Sequence, residues 1–322
     1  MTATVSFIAP VQEELRAVET LMRSQADGYH PDLIAALELL INAGGKRIRP
    51  ALTILAGKMF GARMEKLISL AAAIEMLHTA TLVHDDLIDG SLLRRGMPTL
   101  NSKWSAGATV LTGDFMFSRA AKMAADTESV PVIKLFSTTL TTIVNGEIAQ
   151  LLGSRCKADR EGYDKRIYAK TASLFETSAC SGALVSEVDP QTTEAMRRYG
   201  YEIGMAFQII DDILDYTGDQ AKVGKPVGSD LRQGIVTLPA LIHADNHPAD
   251  PLAVALVEGK CLDDEQITYL VESIRSGDAI QQSHQIAINY VKQGLASLRQ
   301  VPPAPERFAL EDLAEYIVER KF

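Results

Sequence analysis

Apolar residues recur at helical spacing along most of this chain, and nowhere do they alternate with polar ones for long enough to make a strand. After Pro10, Val11, Leu15, Val18 and Met22 mark a first, peripheral helix within residues 1–24. Leu33, Ile34, Leu37, Leu40 and Ile41 line one face of a second, with Pro31 at its first turn and Gly44-Gly45 closing it. Further helices are expected over 51–60 and 66–89, from about Ser105 to Ala125, from Pro131 through Leu151, from Lys165 to Ala183 and from Thr192 to Asp215. The polar stretch Gly153–Asp164 reads as a loop, and the Gly-rich stretch 217–235 as a mobile loop over the site. Beyond the spacer Val301-Pro302-Pro303-Ala304-Pro305, Leu310, Leu313 and Ile317 mark a last helix. No solenoid period and no low-complexity tract interrupts the pattern. It predicts one all-α domain, a helical bundle spanning residues 1–322.

Composition narrows the function. Apolar residues make up 47% of the chain and aromatic ones only 6%, which suits packed helices more than sheets. A formal net charge of −9 argues against a nucleic-acid partner, which would call for a basic face. Cys156, Cys180 and Cys261 are far apart and form no C-x-x-C pair, so they read as idle thiols in a reducing cytoplasm. No basic segment followed by an apolar core opens the chain. The longest apolar window, Leu67 to Val83, contains Glu75 and His78, so it reads as a core helix and not a membrane span.

The chemistry concentrates in Asp85-Asp86-Leu87-Ile88-Asp89 and its later echo, Asp211-Asp212-Ile213-Leu214-Asp215. The outer acids of each group are four apart, one helical turn, with Cβ atoms about 6 Å from each other, and they repel by roughly 0.2–0.5 kcal/mol. The first group also precedes Gly90, a helix stop, where the macrodipole disfavours anions by roughly 0.3–1 kcal/mol. One such motif is commonly a solvated acidic face; two, each ending an apolar helix, call for a cation. Few hard oxygen ligands suit Mg²⁺ shared with phosphate oxygens. An EF-hand is excluded, because no alternating acidic loop with a distal Glu occurs.

Basic residues punctuate this acidic chain at matching intervals. In Gly44-Gly45-Lys46-Arg47-Ile48-Arg49-Pro50, two glycines allow close backbone approach while Lys supplies a point charge and Arg a bidentate fork. Arg94-Arg95 follows the first acidic group, Lys170-Thr171 lies on a later helix, and Lys225 sits in the Gly-rich loop. Each alone reads as easily as surface charge. His78 and Gln208 share helix faces with Asp85 and Asp211, while Asp114 and the Glu147/Gln150 pair are buried-polar candidates. The C-terminal Arg320 and Lys321 could cap a substrate pocket, but a frayed, solvated end is the default reading. No Ser/His/Asp or Cys/His nucleophile, Walker A loop or G-x-G-x-x-G occurs. Metal-assisted departure of a diphosphate fits this inventory better than acyl or phosphoryl transfer.

The set GGKRIRP (44–50), HTATLVHDDLIDGSLLRRG (78–96), LTGD (111–114), KT (170–171), FQIIDDILDYTGD (207–219) and GKPVGSDL (224–231) closely resembles the trans-isoprenyl diphosphate synthase family. The resemblance implies an isoprenoid-synthase-type bundle of helices around a deep central cavity, usually a homodimer. It implies head-to-tail (1′-4) condensation of isopentenyl diphosphate with an allylic diphosphate: geranyl, farnesyl or geranylgeranyl. By matching positions, Asp85, Asp86, Asp89, Asp211, Asp212 and Asp215 would hold about three Mg²⁺ and the allylic diphosphate. Arg94, Lys170, Thr171, Gln208 and Lys225 would contact that substrate, and Gly45, Lys46, Arg49, His78 and Arg95 would hold isopentenyl diphosphate. Ile235 stands where many members carry a second loop Lys. Terpene cyclases and head-to-head synthases typically replace the second DDxxD and lack GGKRxRP. Regulatory subunits of heteromeric synthases generally lose the aspartates that are intact here, although a catalytic subunit that works with a small partner fits the same motifs.

Product length follows from helix geometry. Counting back from Asp85, Ala80 and Thr81 lie under the acidic group, with Leu77 and Ile74 at deeper turns. Short-chain members of the family often carry an aromatic at one of the first two positions, and here both are small. Each isoprene unit needs roughly one helical turn of depth, and burying its carbons gains roughly 3–4 kcal/mol, so a product of about C30 to C45 is expected, suited to a quinone side chain. Ala80→Phe is expected to shorten the product to about C15–C20 while incorporation continues, measured by sizing the labelled products.

Overall fold

The computed structural model describes residues 6–94, 96–153, 155–218 and 227–320. The described chain is all-α apart from a two-residue hairpin, Leu93–Arg94 against Met97–Pro98. Two compact units share it, and neither is continuous in sequence, although the pattern of apolar positions marks no boundary. One comprises residues up to Thr139 with Thr177–Arg197 and Val301–Asp312; the other comprises Leu140–Glu176, Arg198–Gln300 and the residues from Leu313 onward.

In the first unit the chain runs through α1 (Gln12–Ser24), α2 (Pro31–Asn42), α3 (Ile48–Met59), α4 (Met64–Ile88) and α5 (Ala106–Ala125). Helix α4 is apolar on every side, and Leu67, Leu70, Ala71, Ala72, Ala73, Ile74, Met76, Leu77 and Ala80 are all buried. A helix without a polar face belongs inside a core. By length and composition α4 would also suit a membrane span, but most of it is enclosed by protein. The Ser69 hydroxyl donates to Met123 O at 2.9 Å and His84 Nε2 meets Val110 O at 3.2 Å, so α4 and α5 run antiparallel. Gly57 and Gly182 let helices touch: a Cβ on Gly182 would stand 2.8 Å from Thr53 O and from Gly57 N.

The second unit contains α7 (Arg160–Ile167), a π-helical turn over Tyr168–Ala172, the end of α9 (Pro190–Thr217), α10 (Ser229–Arg232), α11 (Leu238–Asn246), α12 (Pro251–Val257), α13 (Asp264–Ser276) and α14 (Ala279–Leu298). Helices α6 (Val130–Leu152), α8 (Ser173–Val185), α9 and α15 (Pro305–Glu319) contribute turns to both units.

Three expectations change. The loop expected over Gly153–Asp164 gives way to helix from Arg160, because α7 is carried by charge pairs one turn apart (Arg160 with Asp164, Glu161 with Lys165) that leave no apolar period to read. Within the stretch expected to be a mobile loop, residues 219–226 lie outside the described part, and Ser229–Arg232 forms a helical turn. The thiols are not all idle: Cys156 and Cys261 form a disulfide across 105 residues of sequence, with Cα atoms 5.0 Å apart, while Cys180 is a buried thiol outside it. The contacts that bring the first partner into place, Cys156 N–H to Gly234 O at 2.7 Å and Ala158 N–H to Leu256 O at 2.8 Å, are long-range and have no sequence signature.

His243 on α11 is 1% exposed, stacked on His247 at 4.3 Å, with Asp250 3.6 Å from its Nε2. Burial, and then His247, lower its pKa below the usual 6.5, against the pull of Asp250. The folded protein thus holds His243 neutral while the unfolded chain binds a proton below that value, so this stability is present above about pH 6.5 and is lost as pH falls. Thermal unfolding should show a midpoint that drops from about pH 7 to pH 5, and His243→Phe, which keeps a ring but cannot take a proton, should flatten the drop.

Candidate active site

The first acidic group occupies the last turn of α4, and the reason the helix stops there is visible in its backbone. Gly90 takes φ +63°, Ser91 N–H donates to Asp86 O at 2.9 Å and Gly90 N–H to Leu87 O at 3.3 Å, a Schellman closure. Asp89 is the exposed cap residue, Asp85 is half-buried and Asp86 is buried. The hairpin after this closure turns Arg94 back, so that its Nε donates to both oxygens of Asp86 at 2.9 and 3.0 Å. Asn101 holds the intervening turn through Ser91 O at 3.0 Å. Arg95 lies outside the described residues.

The basic turn of the same unit divides its cations. Gly44 and Gly45 take φ of +74° and +155°, and Lys46 is exposed. Arg49 Nη1 lies 3.2 Å from His78 Nε2, so these two expected ligands do converge. Arg47 instead points inward, with Nη1 donating to Glu75 Oε1 at 2.8 Å and Nε to Glu19 Oε1 at 2.9 Å. Ile74, Leu77 and Ala80 are fully buried on α4; Thr81 is half-buried, and its hydroxyl donates to His78 O at 2.7 Å. Asp114, expected to be buried, has a side chain 58% exposed, with His84 Nε2 3.6 Å from it.

In the second unit the later acidic group ends α9. Asp211 Oδ1 accepts from Arg320 Nη2 at 2.6 Å, and the guanidinium lies over the Phe207 ring, 4.3 Å from its centroid. The tail at Arg320 is therefore docked, not frayed; a cation beside a carboxylate and an aromatic face is held by both. Asp212 is 3% exposed and accepts from Tyr163 OH at 2.7 Å and Gln208 Nε2 at 2.8 Å. Burial, reinforced by the charge of Asp230, pushes its carboxyl up to about 8. Burial likewise raises Tyr163 well above the usual tyrosine range, so the phenol stays a donor. Asp215 accepts from the Ser229 hydroxyl at 2.7 Å and from the N–H groups of Ser229 and Asp230 at 3.2 Å.

Lys170 and Thr171 fall in the π-helical turn, a distortion frequent at functional sites. Thr171 OH donates to Gln208 Oε1 at 2.6 Å, which completes a chain from Thr171 through Gln208 to Asp212, and Lys170 pairs with Glu147 at 3.2 Å. Lys225 lies outside the described residues. Tyr163, Arg320 and the Arg47–Glu75 pair carry no sequence signal of their own, since their partners are remote in the chain.

The donor set tests a hard divalent cation favourably. In each unit the acids stand on neighbouring turns of one helix, and Asp212 is buried beside Asp230, its carboxyl raised first by that burial and then by the neighbouring charge. Among the described residues no three acidic, His or Cys side chains converge into a complete cage. That pattern suits Mg²⁺, which commonly binds one or two carboxylates and completes its shell with substrate phosphates and water.

These features define a class of helical proteins that bring clustered acids and basic residues to helix ends. The profile of the polyprenyl synthetase family matches residues 30–274, and the chain belongs to that family. It is 37% identical over 324 residues to heptaprenyl diphosphate synthase component 2 of Geobacillus stearothermophilus, covering 100% of this chain and 99% of that one. It is also 37% identical over 287 residues to octaprenyl diphosphate synthase of Escherichia coli K12, covering 87% and 88%. The crystal structure of a polyprenyl synthase from Caulobacter crescentus CB15, complexed with calcium and isoprenyl diphosphate, shares its fold with TM-score 0.90 and 34% identity over 99% and 98% of the two chains. The protein is thus a prenyltransferase of the polyprenyl diphosphate synthase type, a family that uses divalent metal and isopentenyl and allylic diphosphates.

Gly204 fixes how α9 approaches the π-helical turn: an added Cβ would lie 2.6 Å from Ala172 Cα and 2.8 Å from Phe175 Cβ. Gly204→Ala should therefore destabilise the protein by about 1–3 kcal/mol in denaturant titration, because backbone rather than a mobile side-chain end must yield.

Proposed function

We propose that the protein is a Mg²⁺-dependent trans-prenyltransferase that condenses isopentenyl diphosphate head-to-tail with an allylic diphosphate to give an all-trans product of about C30 to C45. The observation that supports this most is the presence of two intact acidic groups, each ending a helix and each placed beside a basic or donor partner. The heptaprenyl and octaprenyl relatives favour the long-chain product, as do the small Ala80 and Thr81.

In this reading Asp85, Asp86 and Asp89 with Asp211, Asp212 and Asp215 hold about three Mg²⁺, whose charge offsets that developing on the departing diphosphate. Arg94, Lys170, Thr171, Gln208 and Lys225 orient the allylic diphosphate, while Gly45, Lys46, Arg49, His78 and Arg95 hold isopentenyl diphosphate. The allylic C–O bond breaks, the alkene attacks the resulting carbocation, and the proton lost from the adduct goes to the departing diphosphate. Apolar walls exclude water from that carbocation, with Ala80, Thr81, Leu77 and Ile74 along the path of the growing tail. Residues 1–322 act as one isoprenoid synthase domain in the cytoplasm.

A homodimer is supported by Val144, Ile148, Leu151 and Leu152, an exposed apolar stripe at helical spacing on α6. The full-length similarity to a component 2 favours a second reading, a catalytic subunit working with a small partner chain.

Purified protein given Mg²⁺, farnesyl diphosphate and labelled isopentenyl diphosphate should incorporate label into linear products of about C30–C45, and chelation or Asp85→Ala should cut the rate by orders of magnitude. Label incorporated only on adding a partner would establish the heteromeric reading, and cyclic hydrocarbon would overturn both.

A further inference from the structure

Three cations stand within four residues at 46–49, and residue type alone casts all of them as diphosphate ligands. The structure separates one. The Arg47 side chain is 11% exposed, and each of its nitrogens is used: Nη1 on Glu75 Oε1 at 2.8 Å, Nε on Glu19 Oε1 at 2.9 Å and Nη2 on Ile41 O at 2.8 Å. Three of its five N–H donors are thus committed inside the protein, one from each nitrogen, and little of the guanidinium faces solvent. Its two carboxylate partners raise its pKa despite burial, so it stays charged.

The backbone explains what this commitment achieves. Arg47 takes φ +48°, and with Gly44 at +74° and Gly45 at +155° three of four consecutive residues lie in the left-handed region. Glycine adopts that conformation readily, but arginine adopts it only when something holds it there. The restraint is the side chain, anchored on α4 through Glu75 and on α1 through Glu19. One turn further along α4 from Glu75 stands His78, and two residues beyond Arg47 stands Arg49, whose Nη1 meets the His78 ring at 3.2 Å. The turn is thus tied to α4 by two adjacent rungs, Arg47–Glu75 inside and Arg49–His78 at the rim, with Lys46 exposed beside them.

We propose that Arg47, with Glu75 and Glu19, is the positioning residue of the isopentenyl diphosphate site, locking the turn that aims Lys46 and Arg49 without itself touching substrate. The inference rests on the reading of that turn given above, and it makes α1 a strut of the site, not a peripheral addition.

The test is to measure the KM for isopentenyl diphosphate, the KM for farnesyl diphosphate and the melting temperature for Arg47→Lys, Glu75→Gln, Glu19→Gln and Lys46→Ala. Arg47→Lys keeps the charge but loses the fork, and Glu75→Gln keeps the shape but loses the charge. Both should raise the KM for isopentenyl diphosphate about tenfold or more, the equivalent of one charge-assisted hydrogen bond, while the KM for farnesyl diphosphate stays put and the protein remains folded at the assay temperature. Glu19→Gln, at the more exposed end of the clamp, should act in the same direction and less. Unchanged KM values in both Arg47→Lys and Glu75→Gln, or equal rises for both substrates that track the loss of melting temperature, would overturn the proposal. If Lys46→Ala leaves the KM for isopentenyl diphosphate unmoved, the assignment of the turn itself fails, and the clamp with it.

Discussion

Negative charge at the carboxyl end of a helix meets the helix's own negative pole, and both acidic groups of this protein stand there. Much of the surrounding structure answers that constraint. In the first unit the hairpin after Gly90 exists to return Arg94 onto Asp86. In the second, Arg320 reaches Asp211, Tyr163 and Gln208 reach Asp212, and the amides and hydroxyl at 229–230 reach Asp215. A short hairpin, the C-terminal residues, the start of α7 and a single helical turn are each placed by the acid they serve. These partners fix individual carboxylates without forming a finished cage among the described residues, which suits ions delivered together with a diphosphate.

The cations follow a complementary logic. Lys46 is exposed and Arg49 sits at the rim with His78, whereas Arg47 between them is spent on protein carboxylates. Lys170 and Thr171 gain their position from a π-helical turn, packed closely against α9 because Gly204 has no side chain to intervene. A site for two multiply charged substrates needs donors that do not relax when one substrate leaves. The buried clamps, Arg47 on Glu75 and Tyr163 on Asp212, supply that rigidity from within each unit.

Much of this was legible in the residues. The nearness of His78 and Arg49 follows what the family resemblance implies. The long apolar period of α4 and of the end of α9 and the stop at Gly90 were expected, because each depends on neighbours within a turn. Helix α7 was not, since its stability comes from charge pairs and only Tyr163 and Ile167 turn inward. Asp114 reads as a buried polar candidate, but its side chain is 58% exposed on α5. Arg320 looked like a loose end, and Cys156 and Cys261 looked idle, because nothing near either in sequence announces a partner 109 or 105 residues away.

The order of polar and apolar residues was enough to determine most of the helices and the two acidic helix ends, and the motifs on them, with the glycine-bounded basic turn, carried the resemblance to the family. Those properties are local: a helix is set by contacts three and four residues apart, and a motif by its own spacing. Only the folded chain decided which cation is a clamp and which is presented, which acid is buried beside which donor, and which cysteines bond. Those outcomes depend on chain segments brought together by core packing, and the energy that selects them belongs to the assembled contacts and not to any one stretch of residues.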